Sequence, residues 1–145
     1  MKPIVSDTVF IESTFNVPIE KVWNAWTEPS EIRKWFGSDP NGKVLSANTD
    51  VRIGGSFEIT FEDSNGTLHT CSGVYKYVEP YKKLSFTWRW KSEPNIESLV
   101  TVLLHAENAI TLMRFEHANV GYASAHNYEQ GWESTFGKLQ KAIDD

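Results

Sequence analysis

The chain has 145 residues, 40% of them hydrophobic and 23% charged, with a formal net charge of -5; this is the size and composition of one globular domain with its own core. Its lysines and arginines are scattered with no basic stripe, which argues against nucleic acid, and the acidic balance argues against an anionic membrane surface. A single cysteine, Cys71, rules out an internal disulfide, no apolar run approaches the roughly 18 residues of a membrane span, and no N-terminal segment resembles a signal peptide, so a cytoplasmic protein without integral membrane association is expected.

Residues 8–17 alternate Val9, Ile11, Ser13, Phe15, Val17 with polar residues and predict a first strand. Pro18 suits the first turn of a helix, with Asn16 as a candidate cap. Ile19, Val22, Trp23 and Trp26 then fall on one helical face. Thr27-Glu28-Pro29 ends that helix and begins another, whose apolar face is Ile32, Trp35 and Phe36 and whose C-cap is Gly37. Three tryptophans within thirteen residues, Trp23, Trp26 and Trp35, need a surface to pack on.

Residues 38–50 are rich in turn formers, with a short strand expected around Val44–Ala47, and Gly54-Gly55 marks a tight bend. Phe57, Ile59 and Phe61 alternate with Glu58, Thr60 and Glu62, and Asp63–Gly66 is a hairpin turn. Further strands are expected over 68–78, from Leu84 to Trp90, around Val100–Leu104, and from Thr111 to His117. The short turns between them imply an antiparallel meander. The last element is a helix of about five turns, with Ser124 as N-cap and Ala125, Tyr128, Trp132, Phe136, Leu139 and Ile143 on its apolar stripe. Gly131 lies on or beside that stripe, for close approach to the sheet, for ligand space, or simply tolerated.

The order is strand, two short helices, about six strands, long helix. A sheet with one polar face must bury the other, and only the final helix is long enough to cover it. Where a curved sheet wraps a helix the surfaces diverge toward one end, and a cavity forms there if side chains do not fill it.

That order, with the segments Asn16-Val-Pro-Ile-Glu-Lys-Val-Trp23, Trp26-Thr-Glu-Pro29, Lys34-Trp-Phe-Gly37, Asp50-Val-Arg-Ile-Gly-Gly55, Gly73-Val-Tyr-Lys-Tyr-Val-Glu-Pro80, Leu84-Ser-Phe-Thr-Trp88 and Gly131-Trp132, resembles the START-like superfamily, also called the helix-grip or SRPBCC fold. Within it the chain is most similar to the single-domain homologues of the activator of the 90-kDa heat-shock protein (Hsp) ATPase. The resemblance covers nearly the whole chain. It implies an α+β helix-grip fold in one domain spanning 1–145: a curved antiparallel sheet of six or seven strands around a long C-terminal helix. It also implies binding of a hydrophobic or amphipathic small molecule between sheet and helix, and no common reaction. Chaperone contact is not expected, because the activators carry an additional N-terminal domain for which this chain has no room.

Four histidines are present, His69, His105, His117 and His126, without a metal-binding spacing, and neither a nucleophile elbow nor a phosphate loop occurs. No metal, no cofactor and no catalytic constellation is expected. His117 shares a strand face with Met113 and Phe115 and should point inward, to bond a ligand or act as a base. Arg52 reads as structural, paired with Asp50 or capping loop carbonyls, and Glu58 and Arg89 as outward charges. Six tryptophans, five tyrosines and eight phenylalanines supply the apolar interior. The expected ligand contacts are Trp35, Phe57, Phe61, Phe86, Trp88, Phe115, His117, Tyr128 and Trp132. The leading expectation is non-catalytic binding of a small hydrophobic or aromatic ligand, lipid- or polyketide-like. The alternatives are a cyclase- or aromatase-type enzyme with His117 as base, and a co-chaperone-like interaction module. An apolar sheet edge could also support a homodimer.

Overall fold

The computed structural model describes residues 8–120 and 128–144. Seven strands, β1 (Val9–Phe15), β2 (Lys43–Thr49), β3 (Ser56–Glu62), β4 (Leu68–Glu79), β5 (Lys83–Trp90), β6 (Ser98–Glu107) and β7 (Ile110–Ala118), form one antiparallel sheet. Its order is β1-β7-β6-β5-β4-β3-β2, so β2 to β7 run as a meander and β1 closes onto β7 from the other end of the chain. Between β1 and β2 lie α1 (Ile19–Thr27) and the four-residue α2 (Pro29–Ile32); α3 (Tyr128–Asp144) follows the sheet. The sequence reading anticipated this order, including two short helices, but the second stops at Ile32 with Arg33 as its C-cap, so Trp35 and Phe36 lie in the turn beyond it and Gly37 is not its cap. The expected cap Ser124 lies outside the described residues.

Period-two alternation decides which face of each strand is inside. Phe57, Ile59 and Phe61 of β3 are buried, as are Val100, Val102 and Leu104 of β6 and Thr111, Met113, Phe115 and His117 of β7. Glu58 and Arg89 point outward, the latter paired with Glu97 at 2.8 Å. In β4 the register against β5 shifts between Tyr75 and Tyr77, so Tyr75 is buried while Tyr77 is exposed. A simple alternation would have put both on one face.

Helix α1 begins differently from expectation. Pro18 is itself the N-cap, in an extended conformation, and no side chain caps it, Asn16 included. Its inner face is Val22, Trp23, Ala25 and Trp26. The Trp35 indole donates to the Ala25 carbonyl at 2.9 Å and meets Trp26 edge to face at 4.9 Å, which ties the segment after α2 back onto α1. Gly37 ends this unit with φ +105, a conformation closed to most side chains.

Around Trp26 the interior is filled. Its ring lies against Phe86, Phe115, Trp132 and Phe136, with centroids 6.0 to 6.4 Å away, and its N–H reaches the Met113 sulfur at 3.3 Å. Beyond Trp132, toward the start of α3, that filling gives way to a gap between sheet and helix, bridged at its far side by Tyr128, which lies 4.7 Å from the His117 ring and accepts from the Trp90 indole at 2.8 Å.

Candidate functional site: an aromatic cleft at the start of the long helix

There the surfaces of sheet and helix part and leave a cleft of about 470 Å³, open to the surface, within the usual range for small-molecule sites. Four parts of the chain wall it, among the described residues. The segment after α2 gives Phe36, Gly37, Ser38 and Pro40; β3 and β4 give Phe61 and His69; β5 gives Trp88 and Trp90; and α3 gives Tyr128, Gln130, Gly131, Trp132, Ser134 and Thr135.

The rim is pinned by polar contacts from α3. Ser134 Oγ donates to the Ser38 carbonyl, and Lys138 Nζ donates to the Asp39 carbonyl at 2.9 Å. Partial burial lowers the Lys138 pKa, against the opposing pull of Asp39 and Asp63. Asp39 accepts from the backbone N–H of Ser64 at 2.7 Å and of Asn41 at 2.9 Å, and from the Ser64 hydroxyl at 2.8 Å. Those bonds favour its charged form and lower its pKa. The loop that contributes Ser38 and Pro40 is thereby fastened to both the helix and the β3–β4 turn.

Two imidazoles are arranged differently. His69 is in the wall, against Phe61 at 5.2 Å and Trp90 at 5.9 Å, and its Nε2 bonds Asp63 Oδ2 at 2.8 Å. His117 is fully buried and is absent from the cleft's wall. Trp132 Nε1 can only donate, and it meets His117 Nδ1 at 2.9 Å. The neutral ring must then carry its proton on Nε2, which donates to Ser98 Oγ at 2.6 Å; Ser98 in turn donates to the Trp88 carbonyl at 3.3 Å. Burial pushes the His117 pKa down to about 3. Both nitrogens are engaged within the protein, so His117 fixes Trp132 and the Trp88 backbone from behind the wall.

Of the nine expected contact residues, Phe61, Trp88, Tyr128 and Trp132 line the cleft. Trp35, Phe57 and Phe86 line, with Trp88, a separate apolar void of about 20 Å³ beneath it. Phe115 lines neither; it packs under Trp132 at 4.6 Å. The sequence reading gave no role to Ser38, Pro40, His69, Gln130, Ser134 or Thr135. Gly131 was the available signal for the last three, since Gln130 is its neighbour and Ser134 and Thr135 sit one turn on. It makes no close approach: a Cβ there would meet Ser38 Cβ at an ordinary 3.8 Å.

Four buried indole N–H groups have acceptors: Trp26 on Met113, Trp35 on Ala25, Trp90 on the Tyr128 hydroxyl at 2.8 Å, and Trp132 on His117. Trp88 Nε1 has none and is shielded from water, a state that costs about 1–3 kcal/mol. Among the described residues no group of three or more His, Cys, Asp or Glu side chains could hold a metal, and no helix is long and apolar enough to cross a membrane. Cys71 is wholly buried, and desolvation holds its thiol well above the ordinary range.

Known structures share this architecture. CV1439 from Chromobacterium violaceum is 21% identical, with a TM-score of 0.82 over 96% of this chain and 98% of that one. CalU16 from Micromonospora echinospora is 26% identical, with a TM-score of 0.70 over 94% and 75%. DynU16, a protein of the dynemicin biosynthetic locus, is 21% identical, with a TM-score of 0.78 over 97% of this chain but 48% of its own. No curated protein matches the chain in sequence. The family of Activator of Hsp90 ATPase homolog 1-like proteins matches residues 16–144, and with the seven-stranded sheet gripping α3 this chain belongs to that family.

Proposed function

We propose that this protein binds a small hydrophobic or aromatic ligand, without chemistry, in the cleft between the sheet and the start of α3. The observation that carries this reading is the cleft itself. A domain with a large supply of rings has packed most of them ring against ring, yet leaves about 470 Å³ bordered by Phe36, Phe61, Trp88, Trp90, Tyr128 and Trp132. Rings on opposing walls suit a flat or conjugated molecule, and burial of its apolar surface would drive binding. The place of DynU16 in a biosynthetic locus supports a small molecule rather than a protein as the occupant.

Native mass spectrometry of freshly purified protein, before and after organic extraction, tests this. The expected result is an adduct of a few hundred daltons that extraction removes. The stripped protein should then show saturable tryptophan-fluorescence changes with a neutral aromatic probe such as 1-aminoanthracene, because Trp88, Trp90 and Trp132 border the cleft. A clean mass combined with no saturable response would sink the reading.

A further inference from the structure

We infer that the ligand carries a hydrogen-bond-accepting oxygen, a carbonyl or its equivalent on an aromatic frame, and that the indole N–H of Trp88 donates to it. This rests on the binding role proposed above and gives it a chemical class.

The inference stands on an inconsistency in an otherwise satisfied cluster. Trp26, Trp35, Trp90 and Trp132 each reach an acceptor, and the packing has spent a sulfur, a backbone carbonyl, a phenol and an imidazole in doing so. Trp88 is 2% exposed and its Nε1 meets nothing among the described residues. Its ring is surrounded by apolar or spent partners: Phe36 at 5.9 Å, Trp90 at 5.2 Å, Trp132 at 5.3 Å and His117 at 5.5 Å. A buried donor left over in native packing calls for an explanation, and an incoming acceptor is one.

The position of the ring fits that explanation. Phe36 and Trp88 are the two side chains common to the cleft and to the apolar void of about 20 Å³ beneath it. The nitrogen is shielded as it stands, so the donor must be uncovered by a small movement. The void borders the same ring and leaves free space beside it, and the neighbouring rings meet it edge-on or tilted rather than stacked. A site that bonds a ligand oxygen also discriminates against the analogue without one, because the buried donor then stays unpaired.

The test compares tetralin with 1-tetralone, the same bicyclic frame without and with a carbonyl oxygen. Both are titrated into the protein with ¹H–¹⁵N detection of the indole groups, the Trp88 signal being assigned through its contacts to Trp132 and Phe36. The expected result is roughly tenfold tighter binding of 1-tetralone, one good hydrogen bond, with the Trp88 indole proton moving downfield for 1-tetralone alone. In Trp88→Phe the ratio of the two affinities should fall to about one, whatever loss of affinity the two probes share. Equal binding of the two probes, an unmoved Trp88 proton, or a preference that survives Trp88→Phe would each overturn the donor and leave the cleft as a binding site. Binding of neither probe would overturn both. If Trp88→Phe does not fold, the signal in the wild-type protein decides.

Discussion

At the scale of single residues, the behaviour of His117 follows from its surroundings rather than from its type. Its Nδ1 accepts from Trp132 and its Nε2 donates to Ser98, so protonation would cost the first bond and bury a charge. Its folded-state pKa of about 3 lies below the ordinary 6.5. The unfolded chain therefore takes up a proton near pH 6.5 that the folded protein refuses until about pH 3. The stabilisation is complete above pH 6.5 and is lost as pH falls toward 3, by at most about 1.4 kcal/mol per pH unit. Urea unfolding at pH 7, 5.5 and 4.5 should show a steeper acid loss for the wild type than for His117→Gln, whose amide offers an acceptor and a donor but no titration. Equal slopes would mean that the ring titrates freely. The inward direction of His117 was legible from the alternation Thr111, Met113, Phe115, His117. That it is spent on Trp132 and Ser98 was not, because those partners come from β6 and α3 and no local spacing links them.

At the scale of elements, α3 carries two interior glycines with different surroundings. Gly131 borders the cleft and Gly137 is exposed with nothing within 4 Å of a would-be Cβ. Each weakens the helix by up to about 1 kcal/mol against alanine. Both Gly131→Ala and Gly137→Ala should therefore raise the unfolding midpoint, while only Gly131→Ala should weaken binding of the cleft's ligand. Equal affinities in the two variants would mean that the wall at Gly131 is not used. The strands and helices themselves were readable because hydrophobic periodicity is a local signal. The exceptions lie where geometry departs from the period: the shift that separates Tyr75 from Tyr77, and the start of α1, where Pro18 takes the place expected of Asn16. The cleft's loop residues Ser38 and Pro40 carry no period, so nothing in their spacing assigns them a wall.

At the scale of the whole molecule, the fold is a clamp closed at one end by Trp26 and held ajar at the other. Trp132 is the side chain where the parts meet. It touches Trp26 of α1, Phe36 after α2, Trp88 of β5, and Phe115 and His117 of β7, at centroid distances of 4.6 to 6.3 Å. Trp132→Ala should cost about 3–5 kcal/mol, a large part of the ~5–15 kcal/mol available to a domain, and ligand binding with it. Trp132→Phe should keep the fold and lose mainly the bond to His117. Chemical denaturation of both, with ligand titration of whichever folds, checks this; an unaltered Trp132→Ala midpoint would show that the layers do not depend on it. The order of elements made a cavity an expectation. Where it opens depended on which rings meet across the gap, and rings that fill and rings that line share one periodicity.

Cys71 sits in the interior face of β4, opposite Ile59 on one side and Trp90 on the other. It is inaccessible, and its thiolate is disfavoured, so a disulfide reagent reaches it only when the middle of the sheet comes apart. The protein thus contains its own single-site clock. Its rate of modification counts openings of the clamp, and anything that settles in the cleft and holds the sheet to the helix will be seen as a slowing of that clock, with no label attached and no ligand identified beforehand.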